Sequence, residues 1–168
     1  MKTSRILALL GVLSSLTLNA LAQSTPPPWP PESHQFDFWI GEWTVTTPDG
    51  KPAGSNKIEA IAGHAGLLEN WTGVGGGSGK SLNTYNRAKR QWQQFWVGSG
   101  GGVLELSGGL GDGSMVLSGE HAVRGQTMME KITWTPNPDG SVRQHWEQSA
   151  DGGKTWTDAF DGLYRKKS

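Results

Sequence analysis

The sequence predicts an all-β protein: an antiparallel, up-and-down barrel of eight to ten strands with a short N-terminal capping turn. Three observations lead there. Ten short segments fit for strands recur along the chain at a spacing of roughly 8–14 residues. Turn-forming sequences separate them. Apart from one turn near 33–39, no stretch carries an amphipathic helical period. A run of consecutive hairpins ends in two unpaired edges, and closure into a barrel removes both.

The elements follow in order. Met1 to Ala22 has a positive start (Lys2, Arg5), an apolar stretch from Ile6 to Leu21 and the small-residue cleavage pattern Ala20-Leu21-Ala22, as an export leader does. Ser14, Ser15, Thr17 and Asn19 interrupt the stretch and argue against a membrane anchor. Cleavage would start the mature chain at Gln23. Residues 23–33 hold Pro26, Pro27, Pro28, Pro30 and Pro31 and read as an extended polyproline tether, with Trp29 inside it. Residues 34–168 form the barrel domain. Its expected strands are 43–47, 55–61, 67–72, 81–86, 91–97, 103–107, 114–120, 127–135, 142–149 and 156–164. Thr47-Pro48-Asp49-Gly50 and Asn137-Pro138-Asp139-Gly140 are turns in which Pro presets φ, Asp bonds the backbone and Gly accepts positive φ. Asp112-Gly113 and Asp151-Gly152-Gly153 mark two further hairpins.

Composition narrows the function. The chain has no Cys, which excludes disulfides, thiolate metal sites and a thiol nucleophile. Formal net charge is zero, and loss of Lys2 and Arg5 with the leader leaves 13 basic against 15 acidic residues. Such a domain has no bulk electrostatic reason to bind nucleic acid or an anionic membrane, and no stable membrane insertion is expected after cleavage. Only 18% of residues are charged, while nine are Trp. Strand parity sorts the tryptophans. Trp92, Gln94 and Trp96 share one face, opposite Phe95 and Val97. Met128, Glu130, Ile132 and Trp134 share another. Val142, Gln144, Trp146 and Gln148 oppose Arg143, His145 and Glu147. Aromatics on both faces of 91–97 leave the inward side of that strand open.

Phe36-Asp37-Phe38-Trp39-Ile40-Gly41-Glu42-Trp43 resembles the first strand of lipocalin-like (calycin) barrels, where Phe-Asp precedes Gly-x-Trp. The chain from Phe36 to Tyr164 also resembles an exported bacterial family of unknown function. Leu68-Glu69-Asn70-Trp71-Thr72-Gly73, Gly79-Lys80-Ser81-Leu82-Asn83, Gly101-Gly102-Val103-Leu104 and Trp146-Glu147-Gln148-Ser149 carry that likeness. The resemblance implies a calycin-like fold without an established reaction. It implies that Gly41 and Trp43 belong to a structural plug at one barrel end. A basic side chain would lie across that indole, with Arg165 the positional candidate or Arg143 from a neighbouring strand. Some ten-stranded barrels of the wider superfamily hold haem through one His, for which His145 is the positional candidate.

Other motifs point to structure. Gly73 to Ser81 imitates a phosphate-binding loop, but five residues intervene between Gly73 and Gly79-Lys80 where the pattern has four, and strand follows instead of helix. It reads as a flexible hairpin loop near a barrel mouth. Ser149 to Trp156 matches S-x-D-x-G-x-x-W, the Asp box of sialidase propellers. A single copy makes Asp151 and Trp156 turn stabilisers. Asn70-Trp71-Thr72 fits a glycosylation pattern but lies on an expected strand. His34, His64, His121 and His145 form neither H-x-H nor H-E-x-x-H, so spacing supports no metal site. Glu69, Glu105, Glu120 and Glu147 read as outward strand residues; Glu130 differs because Ile132 and Trp134 share its face.

The expected function is non-catalytic binding of a small, largely uncharged molecule in the lumen, outside the cytoplasm (periplasmic or secreted). Trp71, Trp92, Gln94, Trp96, Glu130, Trp134, Gln144 and Trp146 form the expected lining. Indoles offer planar apolar contact, and the amides and carboxyl offer directional hydrogen bonds. The mixture suits an amphipathic, aromatic or sugar-like ligand. The alternatives are a barrel-enclosed isomerase, cyclase or hydrolase with Glu130 as acid or base, and an envelope interaction domain.

Overall fold

The computed structural model describes residues 28–123 and 125–167. The expected leader, and the tether up to Pro27, lie outside the described residues. Ten strands follow two short 3₁₀ turns: η1 (Pro31–His34), η2 (Asp37–Trp39), β1 (Gly41–Thr46), β2 (Pro52–Ile61), β3 (Gly66–Gly73), β4 (Ser78–Asn86), β5 (Gln91–Gly98), β6 (Val103–Gly111), β7 (Ser114–Val123), β8 (Gln126–Pro136), β9 (Val142–Ser149) and β10 (Thr157–Lys166). They form a closed barrel in which each strand pairs antiparallel with its sequence neighbours and β1 meets β10. The expected all-β, up-and-down barrel with a capping turn is the observed fold, with ten strands. It is consistent with a calycin-like barrel.

Hairpin alternation divides the turns between two ends. The N-terminal segment shares its end with the β2–β3, β4–β5, β6–β7 and β8–β9 turns. The loops around Gly75–Gly77 and Gly100–Gly102 lie at the other. The turn chemistry is as the sequence implies. At 137–140, Gly140 donates its N–H to Asn137 O at 3.0 Å with φ +80°, and Asp139 accepts from Ser141 Oγ at 2.6 Å.

The N-terminal segment closes its end with aromatic rings. Phe36 stacks on Trp39 at 4.9 Å between centroids and meets Trp92 and Trp134 edge-on at 5.6 and 5.1 Å. All four rings are buried. Full burial of a side chain of Phe size contributes roughly 1.5–3 kcal/mol, so this cluster anchors a segment with only two turns of helix. Hydrogen bonds fix it further: Trp92 Nε1 donates to Glu32 O (3.1 Å), and Trp43 Nε1 donates to Trp39 O (2.9 Å). Ser33, at the end of the expected tether, is buried within η1 and donates to Pro30 O at 2.6 Å. The Trp29 ring lies 4.1 Å from the Arg87 guanidinium. No helix among the described residues is long and apolar enough to cross a membrane.

Candidate functional site

Above the aromatic plug the lumen holds a cavity of about 150 Å³. Period-two alternation supplies its walls. From β3 come Glu69 and Trp71, from β5 Gln94 and Trp96, from β6 Leu104, from β8 Ile132 and Trp134, and from β9 Gln144 and Trp146. Strand β10 contributes Ala159, Phe160 and Tyr164. Its pairing with β9 shifts between Asp158 and Phe160, and this bulge brings adjacent residues 159 and 160 to the cavity. Trp71 and Phe160 meet edge-on at 5.8 Å.

Glycines shape the two indoles at the upper wall. A Cβ on Gly79 would stand 2.6 Å from the Trp96 ring, and one on Gly98 would overlap it. A Cβ on Gly54 would stand 2.7 Å from the Trp71 ring. The rings lie across backbone that has no side chain to displace them.

One wall carries a buried polar chain across β2 to β5. Asn56 Nδ2 donates to Glu69 Oε1 at 2.7 Å, and Ser81 Oγ donates to Glu69 Oε2 at 2.6 Å. Asn83 Nδ2 donates to Ser81 Oγ, and Gln94 Nε2 to Asn83 Oδ1, each at 2.8 Å. Burial pushes the Glu69 pKa up, against the two hydrogen bonds that favour its carboxylate. Across the lumen, Tyr164 donates its hydroxyl to Gln144 Oε1. Burial, with the Glu69 charge next in weight, holds the Tyr164 pKa well above the ordinary phenol range.

An outer vestibule shares Trp96, Leu104 and Trp146 with the cavity and opens between Gly100–Gly102 and Val123. Glu130 sits in its wall and is 1% exposed. Trp146 Nε1 donates to Glu130 Oε2, and Gln148 Nε2 donates to Oε1 at 3.0 Å. His121 Nδ1 lies 3.3 Å from the same Oε1, but without the alignment of a hydrogen bond.

Of the eight expected lining residues, the structure brings Trp71, Gln94, Trp96, Trp134, Gln144 and Trp146 to one cavity. The other two lie elsewhere. Trp92 belongs to the plug, because the end of β5 nearest the capping segment passes beneath Phe36 and Glu32. Glu130 lies in the vestibule, one inward step along β8 from Ile132. Glu69 corrects the expectation of an outward residue: it is 5% exposed. Its parity with Trp71 was the available signal. Tyr164 and Phe160 were missed because the β10 bulge disturbs local alternation.

The structural residues need one correction. The cation over Trp43 is Lys166, with Nζ 5.5 Å from the ring centroid, and neither Arg165 nor Arg143. Lys166 pairs directly with Trp43 and has the parity of Tyr164, whereas Arg165 pairs with Thr44 on the opposite face. Arg143 instead forms two hydrogen bonds to Asp161 on the outer face, at 2.9 and 2.6 Å. His145 is on that outer face too, with Nε2 2.8 Å from Asp158 Oδ1. Gly41 has φ +147°, beside Trp43 and Lys166. Asp151 fastens its hairpin by accepting from Lys154 N and Thr155 N at 2.9 Å, from Ser149 Oγ at 2.8 Å and from Thr155 Oγ1 at 2.7 Å. These bonds, led by Thr155, bring its pKa down to about 2. Trp156 Nε1 donates to Gly153 O at 3.1 Å, and Lys131 Nζ lies 4.3 Å from its ring centroid.

Neither the scan against protein-family models nor the search of curated proteins finds a match to the chain.

Proposed function

We propose that this barrel binds a small, largely uncharged amphipathic molecule, aromatic or sugar-like, and releases it unchanged. The observation that carries the reading is the cavity of about 150 Å³ walled by four indoles and two glutamines. An internal void of about this volume accommodates a benzene-sized guest. A single planar ring therefore suits the inner cavity, and polar substituents suit the vestibule beyond Trp96 and Trp146. Trp134 strengthens the case: it lines the cavity, is fully buried, and its Nε1 has no hydrogen-bond partner among the described residues. A ligand acceptor would satisfy that donor.

Tryptophan fluorescence of the mature protein, titrated with aromatic, sugar and lipid libraries, tests the reading. Aromatic or sugar-like compounds should change the emission, and Trp96→Ala should weaken the response. Emission that no compound alters would defeat it.

A second reading, acid–base catalysis in the same lumen, has one observation in its favour. Glu69 is a buried cavity carboxyl whose pKa is raised by desolvation, as general acids require. This moves the candidate acid from Glu130 to Glu69. A ligand recovered chemically altered by the wild type and unaltered by Glu69→Gln would favour catalysis over binding.

The location we propose is periplasmic or extracellular, supported by the leader-like sequence at Met1–Ala22. N-terminal sequencing of the exported fraction should begin at Gln23.

A further inference from the structure

The plugged end of the barrel carries a second set of chemistry-bearing side chains. His34 closes η1, Asp37 opens η2, and His64 sits in the β2–β3 turn. His34 Nδ1 and His64 Nε2 each lie 2.9 Å from the same oxygen, Asp37 Oδ2. The three candidate donor atoms lie within 4.8 Å of one another, and the two imidazole centroids are 4.7 Å apart. Sequence spacing concealed the group, because 27 positions separate Asp37 from His64.

Two features set this group apart from a surface ion pair. First, the other carboxylate oxygen, Asp37 Oδ1, is buried with no hydrogen-bond partner among the described residues. Buried acceptors are normally satisfied, and the two imidazoles, both on Oδ2, leave this one without a partner. Second, His64 has φ +73° and follows Ala62 and Gly63 at +51° and +64°. A non-glycine side chain in the left-handed region is uncommon, and strain of this kind gathers at ligand clamps. Here it carries an imidazole to the cap.

We propose that His34, Asp37 and His64 bind one divalent ion of the zinc class, which ties the N-terminal cap to the β2–β3 turn. Two imidazoles and a carboxylate suit zinc, copper or nickel better than calcium or magnesium. Ligands about 2.05 Å from a tetrahedral ion stand about 3.3 Å apart, so the two 2.9 Å contacts open slightly and the two ring nitrogens, within 4.8 Å of each other, settle at the same spacing. The ion takes the place of the protons now shared with Asp37. Each neutral ring carries its proton on the opposite nitrogen instead. His34, His64 and Asp37 are 49%, 36% and 32% exposed, so water can reach a fourth coordination position.

The test is calorimetric titration of the tag-free, metal-stripped mature chain with zinc chloride, paired with thermal unfolding. One zinc ion per chain should bind, with a rise in Tm. Removing groups that merely orient a ligand costs about 10–100-fold in affinity, so His34→Ala and His64→Ala should each lower it by about 100-fold or more. His145→Gln should leave it unchanged. His64→Gln, checked for a wild-type urea transition, keeps the test valid if an alanine variant fails to fold. No zinc uptake, uptake indifferent to both His64 variants, or uptake lost only in His145→Gln overturns the assignment.

Discussion

Glu69 joins three properties that seldom coincide in one residue: burial, two short hydrogen bonds and a place on the cavity wall. Its raised pKa means that the folded chain keeps the proton to higher pH than the unfolded chain does. The stabilisation is therefore complete below the unfolded value of about 4.3 and is lost as pH rises through the folded value. Glu69→Gln removes the titration and keeps the shape. Its amide oxygen can accept from Asn56, and its NH₂ can donate to Ser81. Urea midpoints measured across this pH window should fall more steeply for wild type than for Glu69→Gln. Parallel curves would show that Glu69 titrates as in the unfolded chain. Strand parity makes its position legible: Glu69 stands two residues before the inward Trp71. The general preference of Glu for the surface opposes that alternation, but buried donors on Asn56 and Ser81 make the inward carboxyl tolerable.

At the scale of elements, the ten strands were legible because turn chemistry and alternation agree at nearly every hairpin. Their faces were legible where one side alone is apolar. On β5 they were not, since Phe95 and Val97 oppose Trp92 and Trp96. The structure turns Phe95 and Val97 outward, 47% and 44% exposed. Contacts between distant segments were beyond reach of spacing. The joining of His34, Asp37 and His64 depends on how the cap meets the β2–β3 turn, and the pairing of Lys166 with Trp43 depends on barrel closure. Glycines in the strands had a second use beyond turns. Gly98 lets the Trp96 ring lie over the backbone at the cavity wall. Gly98→Val would force that indole aside, because its branched Cβ occupies the same space. Trp96 emission should shift, and affinity for any lumen ligand should drop, while far-UV circular dichroism stays that of a barrel. Unchanged emission and affinity would show that Trp96 has room to spare.

At the scale of the whole molecule, one pairing differs from the rest. Nine of the ten strand contacts are hairpins between sequence neighbours, whereas β1–β10 joins Trp43 to Lys166 across the length of the domain. That ladder has four residue pairs, against eight for β2–β3 and eight for β4–β5. Closing it carries the largest loop entropy for the fewest bonds. Its hold comes instead from packing: Trp43, Val45 and Tyr164 are buried behind it, and Lys166 lies over the Trp43 ring. Sub-global opening should therefore begin at this seam. Amide exchange should be faster at 43–46 and 163–166 than at 81–85 and 92–96. The cavity links this motion to binding, because Phe160 and Tyr164 on β10 face Glu69, Trp71 and Gln94 on β3 and β5. A ligand that touches both walls binds the closed barrel and should slow exchange at the seam more than at β4. Uniform protection in the free protein, or ligand protection confined to the loops, would mean that the barrel opens only as a whole and that the cavity does not report on its closure.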